Sequence, residues 1–403
     1  MSVSSGDSGN AGGEARDASR SLLLCLSRAS LSASAQDRAS QLLDGPVDWS
    51  QLLLWARLHQ VIALVTQNLT RYGLENCVPP QVWTQMRQAL HGIRFDLLVQ
   101  FEQVSRVLAA LDSAAVDVLV LKGYGLTDLL YGDLALRPSG DLDLLVRPDQ
   151  IDLACTVLKT IGIPPPPAEA FRFHLENGYH LPLAGAELAG RDLAVELHWD
   201  LGPRGLNALN LDEMWQRSQQ FTVDGMTALR FSPEDMLLHL ALHIRKHRFV
   251  GLRWLCDMAD LARGFDGRLD WDYVLVNARH AGLETLLFTS LSSCVQLLEA
   301  PVPSYVLAWL QPSALRRRVL AMTLPGDPFD VPVAEDKAGW SRLAALEIVL
   351  LDKPDAMARE LRYRLFPPSE ALSGVAGADS SVGQRMSLYA SRLAQRTATL
   401  LRR

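Results

Sequence analysis

Asp141 and Asp143 stand two residues apart in the run Arg137-Pro138-Ser139-Gly140-Asp141-Leu142-Asp143-Leu144-Leu145-Val146. Alternation along a β-strand places residues two apart on one face, so the two carboxylates point the same way while Leu142 and Leu144 point into a core. Adjacent carboxylates repel, and the arrangement is costly unless a cation sits between them. Magnesium, or manganese in its place, suits such oxygen ligands and keeps positions open for phosphate and water. The plain alternative is an edge strand with a solvated acidic face. The apolar remainder of the strand and the Gly140 turn before it weigh against that reading.

Two neighbouring segments fit the same chemistry. Upstream, Leu121-Lys122-Gly123-Tyr124-Gly125 joins a strand to a helix. Glycines at such a junction let the backbone approach a phosphate, and a helix N-terminus favours an anion. Lys122, Gly123 and Gly125 are therefore candidate phosphate contacts, with Lys122 adding a positive charge. Downstream, Leu193-Ala194-Val195-Glu196-Leu197-His198-Trp199-Asp200 places Glu196, His198 and Asp200 on one strand face. Glu196 is the expected third carboxylate, completing a set with Asp141 and Asp143 that could hold two metal ions.

Further along, His239, His243 and His247 recur every four residues and form one stripe on a helix. The run has no HExxH pattern, and no neighbouring Cys or acid completes a zinc set. The functional reading makes His198, His243, Lys246 and His247 contacts at the mouth of the site. The bland reading is packing. Asp257, on the next helix, is expected to orient a histidine or an arginine.

The elements that must position these residues follow from hydrophobic period and capping. Residues 1–17 are rich in Ser, Gly and Ala and are expected to be disordered. Residues 18–112 read as an N-terminal helical region, with an Asp48-capped helix to about Leu69 and further helices over Pro80–His91 and Arg94–Leu111. Strands are expected at Val116–Leu121, Asp141–Val146 and Asp192–Leu201, within an α/β core over residues 113–232. The four prolines Pro164 to Pro167 form an extended link. Residues 233–403 are expected to be helical, starting at Ser232-Pro233-Glu234-Asp235, with a flexible loop near 367–383 and a last amphipathic helix. The fold class is thus α+β, a small mixed-sheet core flanked by helical regions on both sides. Asp48–Arg57 and Asp270–Arg279 echo one another, each opening on Asp-Trp, which reads as two helices with similar caps.

Bulk properties narrow the classes. The chain has 403 residues, 48% hydrophobic and 21% charged, the composition of a globular protein with a large core. The formal net charge of -6 gives no global attraction to nucleic acid, and no aromatic and basic alternation suggests a stacking groove. Nucleic acid is therefore not the expected acceptor. The five cysteines show no CxxC pair, which fits a reducing cytoplasm, and no run is long enough to span a bilayer.

Taken together, the glycine turn, the Asp-x-Asp strand and the later acid resemble the DNA polymerase β-like nucleotidyltransferase superfamily. The chain is more closely similar to the bacterial family of uncharacterised nucleotidyltransferases. The likeness rests on Leu121-Lys122-Gly123, Tyr131, Arg137-Pro138, Asp141 to Val146, Leu197-His198-Trp199 and Ser232 to Asp235, and covers most of residues 45–290. Tyr124 departs from the superfamily pattern, which usually has Gly or Ser after the first glycine, and the spacing from Gly123 to Asp141 is longer than usual. The resemblance implies transfer of a nucleoside monophosphate from an NTP, with ATP the first expectation, to an acceptor hydroxyl of a small molecule or protein. Asp141 and Asp143 would be the catalytic metal ligands that grip the triphosphate, and Glu196 would complete the catalytic set as a further metal ligand or as the base for the attacking hydroxyl. Lys122 and Arg137 would offset phosphate charge, with the equal alternative for Arg137 that it pins its loop to an acid. The alternative is a non-catalytic module that binds a nucleotide or a partner on the same fold.

Overall fold

The computed structural model describes residues 7–365 apart from 184–186, 189–190, 204–208, 224, 325–328 and 330–336. Five helices come first: α1 (Asp7–Leu26), α2 (Ala33–Leu43), α3 (Trp49–Leu58), α4 (Ile62–Arg71) and α5 (Pro80–Ser113). The middle of the chain alternates β1 (Val118–Val120), α6 (Tyr124–Leu130), β2 (Asp141–Val146), α7 (Ile151–Thr160), α8 (Ala168–Asn177), β3 (His180–Leu183), a small hairpin of β4 (Glu187–Leu188) and β5 (Arg191–Asp192), β6 (Ala194–His198), α9 (Leu211–Gln216), β7 (Gln219–Val223) and β8 (Met226–Arg230). Among the described residues eight helices follow: α10 (Pro233–Lys246), α11 (Leu252–Gly264), α12 (Trp271–Ala281), α13 (Glu284–Leu298), α14 (Ser304–Leu310), α15 (Ala314–Thr323), α16 (Lys337–Val349) and α17 (Pro354–Leu365). No helix among the described residues is long and apolar enough to cross a membrane.

The α+β class is as expected, with a mixed sheet of six strands in the order β3-β6-β2-β1-β8-β7. Its centre pairs β2 parallel to β6 and antiparallel to β1. The sheet separates two apolar cores. Leu142, Leu144, Val195 and Leu197 face one of them, together with Val104, Val107 and Leu111 of α5 and Ala154 and Leu158 of α7. The opposite face carries Leu119, Leu121 and Leu145, which join a core shared by α1, α3, α4, α10, α11, α12 and α13. Both faces of β2 are therefore covered, so the strand reads as almost continuously apolar apart from its two aspartates.

Several expectations need correction. The N-terminal stretch expected to be disordered is helical from Asp7, within α1. This helix is held at its far end, where Leu22, Leu23 and Leu26 are fully buried and the backbone N–H of Asp48 donates to Ser19 Oγ at 2.7 Å. The two helices expected over 80–111 are one 34-residue helix, because Gly92 lies on an exposed face and nothing interrupts the hydrogen-bond ladder there. Strands β3, β7 and β8 were not expected, since each is four or five residues long and has weak alternation. The N- and C-terminal helices contribute to one core. The loop and final helix expected beyond residue 366 lie outside the described residues.

Capping followed the sequence closely. Ser232 Oγ accepts the Asp235 N–H at the start of α10, and Arg217 braces the same turn through Ser232, Glu234 and Asp235. The echoing segments are α3 and α12, capped in the same way by Asp48 and Asp270.

Candidate active site

The register of β2 and β6 builds the site. Asp143 lies opposite Glu196, Asp141 opposite Ala194, and Leu145 opposite His198. Parallel partners point to the same side of a sheet, so Asp141, Asp143, Glu196 and His198 share one face. On the next strand His180 lies opposite His198, and the two imidazoles stack at 5.0 Å between centroids, 18° from parallel.

Lys122 follows the end of β1 and is buried. Its ammonium Nζ stands 3.0 and 2.9 Å from the two oxygens of Asp141 and 2.5 Å from Asp143 Oδ2. Gly123, at φ +60°, turns the chain into α6, and a Cβ there would meet Ser139 Oγ at 3.0 Å. Ser139 in turn donates to Asp141 Oδ1 at 3.2 Å. The turn and the loop before β2 are thus packed together, and Asp141 is fixed by a lysine and a serine.

The second half of the site is an acid, imidazole, acid bridge. His198 Nε2 is 3.2 Å from Asp143 Oδ1 and 3.3 Å from Glu196 Oε2. Burial works against a charged His198, but its hydrogen bonds to Asp143 and Glu196 and their negative charge outweigh it and raise its pKa. Burial likewise opposes ionisation of Asp143, yet His198 and Lys122 hold its carboxyl well below the usual range. The hydrogen bond from His198 is the main cause that lowers Glu196, aided by the charge of Lys246, whose Nζ reaches from α10 to 3.5 Å from Glu196 Oε2.

Helix α10 lies across this face. A cavity of about 250 Å³ opens between sheet and helix, walled by Lys122, Asp143, Tyr179 and His198 on one side and by His239, His243 and Lys246 on the other. Burial presses the pKa of His239 down to about 3 and that of His243 well below normal, which favours the neutral imidazole at both positions. Neither nitrogen of His239 has a hydrogen-bond partner among the described residues.

Asp141, Asp143, Glu196, Lys122, Gly123, His198, His243 and Lys246 are therefore brought together. The other candidates stand apart. Arg137 is fully buried, with Nε and Nη2 on Asp257 at 3.1 and 2.8 Å. The hydroxyl of Tyr131 donates to the same Asp257 at 3.1 Å. Tyr131 and Arg137, two of the positions that carry the family likeness, thus converge on one acid of α11. Gly125 is buried in α6, where a Cβ would meet Arg230 Cβ at 3.2 Å and Val120 O at 3.3 Å, a close helix–sheet contact. His247 stacks on Trp254 at 4.6 Å. Tyr124, the departure from the superfamily pattern, turns away from the site into the core beneath the sheet, its ring 6.3 Å from that of Phe101. Ser139, Tyr179, His180 and His239 were missed. His239 was signalled by its place in the histidine stripe. His180 had no such signal, because only the pairing of β3 with β6 brings it near His198.

The chain matches the model of a protein family described as uncharacterised nucleotidyltransferase over residues 45–299. No curated protein and no solved structure gives a significant match. The matched span holds Lys122, Asp141, Asp143, Glu196, His198 and the whole of α10. The chain belongs to the uncharacterised nucleotidyltransferase family.

Proposed function

We propose that the protein transfers a nucleoside monophosphate from an NTP, ATP in the first instance, to a hydroxyl of a small molecule or protein. The observation that carries this reading is Asp143 set opposite Glu196 across two parallel strands, beside a cavity walled by Lys122 and Lys246. The acceptor oxygen bonds to the α-phosphorus. The bond from that phosphorus to the β-bridging oxygen breaks, and pyrophosphate leaves with the electron pair. The acceptor proton passes to the Glu196 carboxylate.

The side chains fit a divalent cation, Mg2+ or Mn2+. Asp143, Glu196 and His198 each offer a ligand atom, and these atoms lie within 4.8 Å of one another. When bound, such an ion neutralises phosphate charge and lowers the pKa of an attached hydroxyl. Asp141 completes the acidic face, and Lys122 and Gly123 form the turn that meets the phosphates. Lys246 adds a second positive charge at the mouth, and His243 and His247 lie along the same helix. A cytoplasmic location is part of this reading, supported by five cysteines that are all unpaired.

A pyrophosphate-release screen with Mg2+ or Mn2+, each NTP and a panel of hydroxyl acceptors tests the proposal. Asp143→Asn is expected to lower the rate at least roughly 100-fold. Equal rates for the two proteins in every active assay would sink the assignment. One observation favours a second reading, a non-catalytic module: the Lys122 ammonium stands 2.9 Å from Asp141 Oδ2 and 2.5 Å from Asp143 Oδ2, placing a positive charge of the chain's own between the two aspartates. Calorimetry separates the two, since a module of this kind that binds only a protein partner takes up no NTP with its metal.

A further inference from the structure

The two halves of the acidic site are not equivalent, and the difference concerns what each can accept. Asp141 is committed. Both of its oxygens face the Lys122 ammonium, and Oδ1 also accepts from Ser139. Asp143 divides its oxygens, with Oδ2 toward Lys122 and Oδ1 toward His198. On the far side of His198 stands Glu196. One half therefore already holds a positive charge supplied by the chain, and the other half offers one nitrogen and two carboxylates.

We infer that the protein takes one divalent cation rather than two, at a mixed nitrogen and oxygen site of Asp143, Glu196 and His198. We further infer that it prefers a transition-series ion such as Mn2+ to Mg2+, while Lys122 serves as the built-in second charge. The inference deepens the proposed reaction and rests on that reading for the use of the ion, not for its binding.

Three observations support it. The contacts of His198 Nε2 with Asp143 Oδ1 and Glu196 Oε2 are 3.2 and 3.3 Å. Donors at right angles on an ion, each about 2.1 Å from it, stand roughly 3 Å apart, so these spacings already approach those of a coordination sphere. Second, the donor set contains an imidazole. Mg2+ is a hard ion that favours oxygen and sheds water reluctantly, whereas transition ions accept imidazole readily. Third, His239 lines the same cavity, is 6% exposed, and has no hydrogen-bond partner on either nitrogen among the described residues. A buried polar group left in this state is rare in folded proteins and points to a ligand in the cavity. Phosphate oxygens or water held by the ion would supply its partner.

The experiment uses the full chain without nucleotide. Mn2+ is titrated and the bound fraction counted by electron paramagnetic resonance, and the bound ion is examined for nitrogen coupling by spin-echo modulation. The expected result is one Mn2+ per chain with the coupling of a directly bound imidazole nitrogen, retained under excess Mg2+. His198→Asn should remove the coupling and weaken Mn2+ binding by at least roughly tenfold. Lys122→Met should raise the count toward two, because the gap between Asp141 and Asp143 then lacks its resident charge. Two ions on the wild-type chain, one ion without nitrogen coupling, ready displacement by Mg2+, a Lys122→Met variant that still binds one, or no bound Mn2+ would each overturn the inference. The coupling is read on the wild-type chain, so it stands even if a variant folds poorly. Pyrophosphate release is scored separately. Release with Mg2+ alone, without nitrogen coupling, would defeat this inference and leave the proposed reaction intact. Nitrogen coupling with no release under any acceptor would do the reverse.

Discussion

Arg137→Ala separates the two roles open to that residue. Both side chains of the Arg137–Asp257 pair are 0% exposed, and the guanidinium meets the carboxylate through Nε at 3.2 and 3.1 Å and Nη2 at 2.8 Å. Burial opposes the charge on Arg137, but Asp257 more than restores it, and the pKa of Arg137 ends above its ordinary value. Truncation would leave Asp257 buried with the Tyr131 hydroxyl and without its counter-charge. Breaking a buried pair from one side costs about 3–5 kcal/mol. For a chain of 403 residues, whose unfolding entropy is roughly 0.85 kcal/mol/K, that corresponds to a fall of about 4–6 °C in Tm. Thermal melts and urea titrations followed by tryptophan fluorescence would measure it. Replacing both partners, as Arg137→Leu with Asp257→Leu, removes the stranded charge as well and should recover much of the loss. The reasoning fails if the double variant is no more stable than Arg137→Ala. It also fails if Arg137→Ala melts like the wild type while its KM for NTP rises, because the arginine would then act on phosphate and not on the loop.

The remaining predictions are more local. Gly123→Ala should destabilise by about 2 kcal/mol, because φ +60° with ψ -115° is strained for any residue with a Cβ and Ser139 Oγ stands 3.0 Å from it; an unchanged urea midpoint would contradict this. Acid should weaken the fold through His239: the unfolded chain protonates this imidazole below about pH 6.5, whereas the folded chain resists down to about 3. Its contribution is therefore complete above pH 6.5 and falls by about 2 kcal/mol at pH 5. His198 and Asp260 have raised values and act in the opposite sense, so the check is the difference between wild type and His239→Gln, whose loss between pH 7.5 and 5 should be smaller by that amount. Lys246→Gln should raise the KM for NTP and change stability by no more than about 1 kcal/mol, since its contact with Glu196 is partly exposed; a large loss of stability would show that it acts as a structural anchor.

Which acids share one face of the sheet was more legible in the sequence than the elements around them. Asp141, Asp143 and Glu196 were readable because strand alternation is a local rule, and Ser232-Pro233-Glu234-Asp235 because capping is equally local. The part that was not readable depends on pairing. Nothing local in Tyr179-His180 says that β3 will lie antiparallel to β6, so the stacked imidazoles could not be foreseen. The route taken by Tyr124 was hidden for a related reason. Its position beside Gly123 suggests the site, whereas the first turn of α6 aims it at α5. Gly125 and Arg137 show the converse, since Gly125 lies at a close helix–sheet contact and the Arg137 guanidinium is held by Asp257. The continuity of α5 and the common core of the terminal helices are tertiary outcomes, and hydrophobic period alone does not report them.

The buried end of α1 bears on where the folding unit begins. The family match starts at residue 45, yet Leu22, Leu23 and Leu26 are fully buried in the core that also holds Leu121, Leu145 and α10. The ties continue beyond that core. Arg28 reaches Glu299 at 3.0 Å, the Ala29 N–H donates to Asp260 at 2.9 Å, and Asn68 donates to the carbonyl oxygens of Leu26 and Arg28 at 2.8 and 2.7 Å. A fragment trimmed to the matched span would keep every proposed catalytic side chain and lose the helix whose leucines fill part of the same core. It would present an apolar trough where α1 had lain, a surface prone to self-association. The span shared with the family and the apolar core that packs around it are thus different lengths of chain, and the second is the longer.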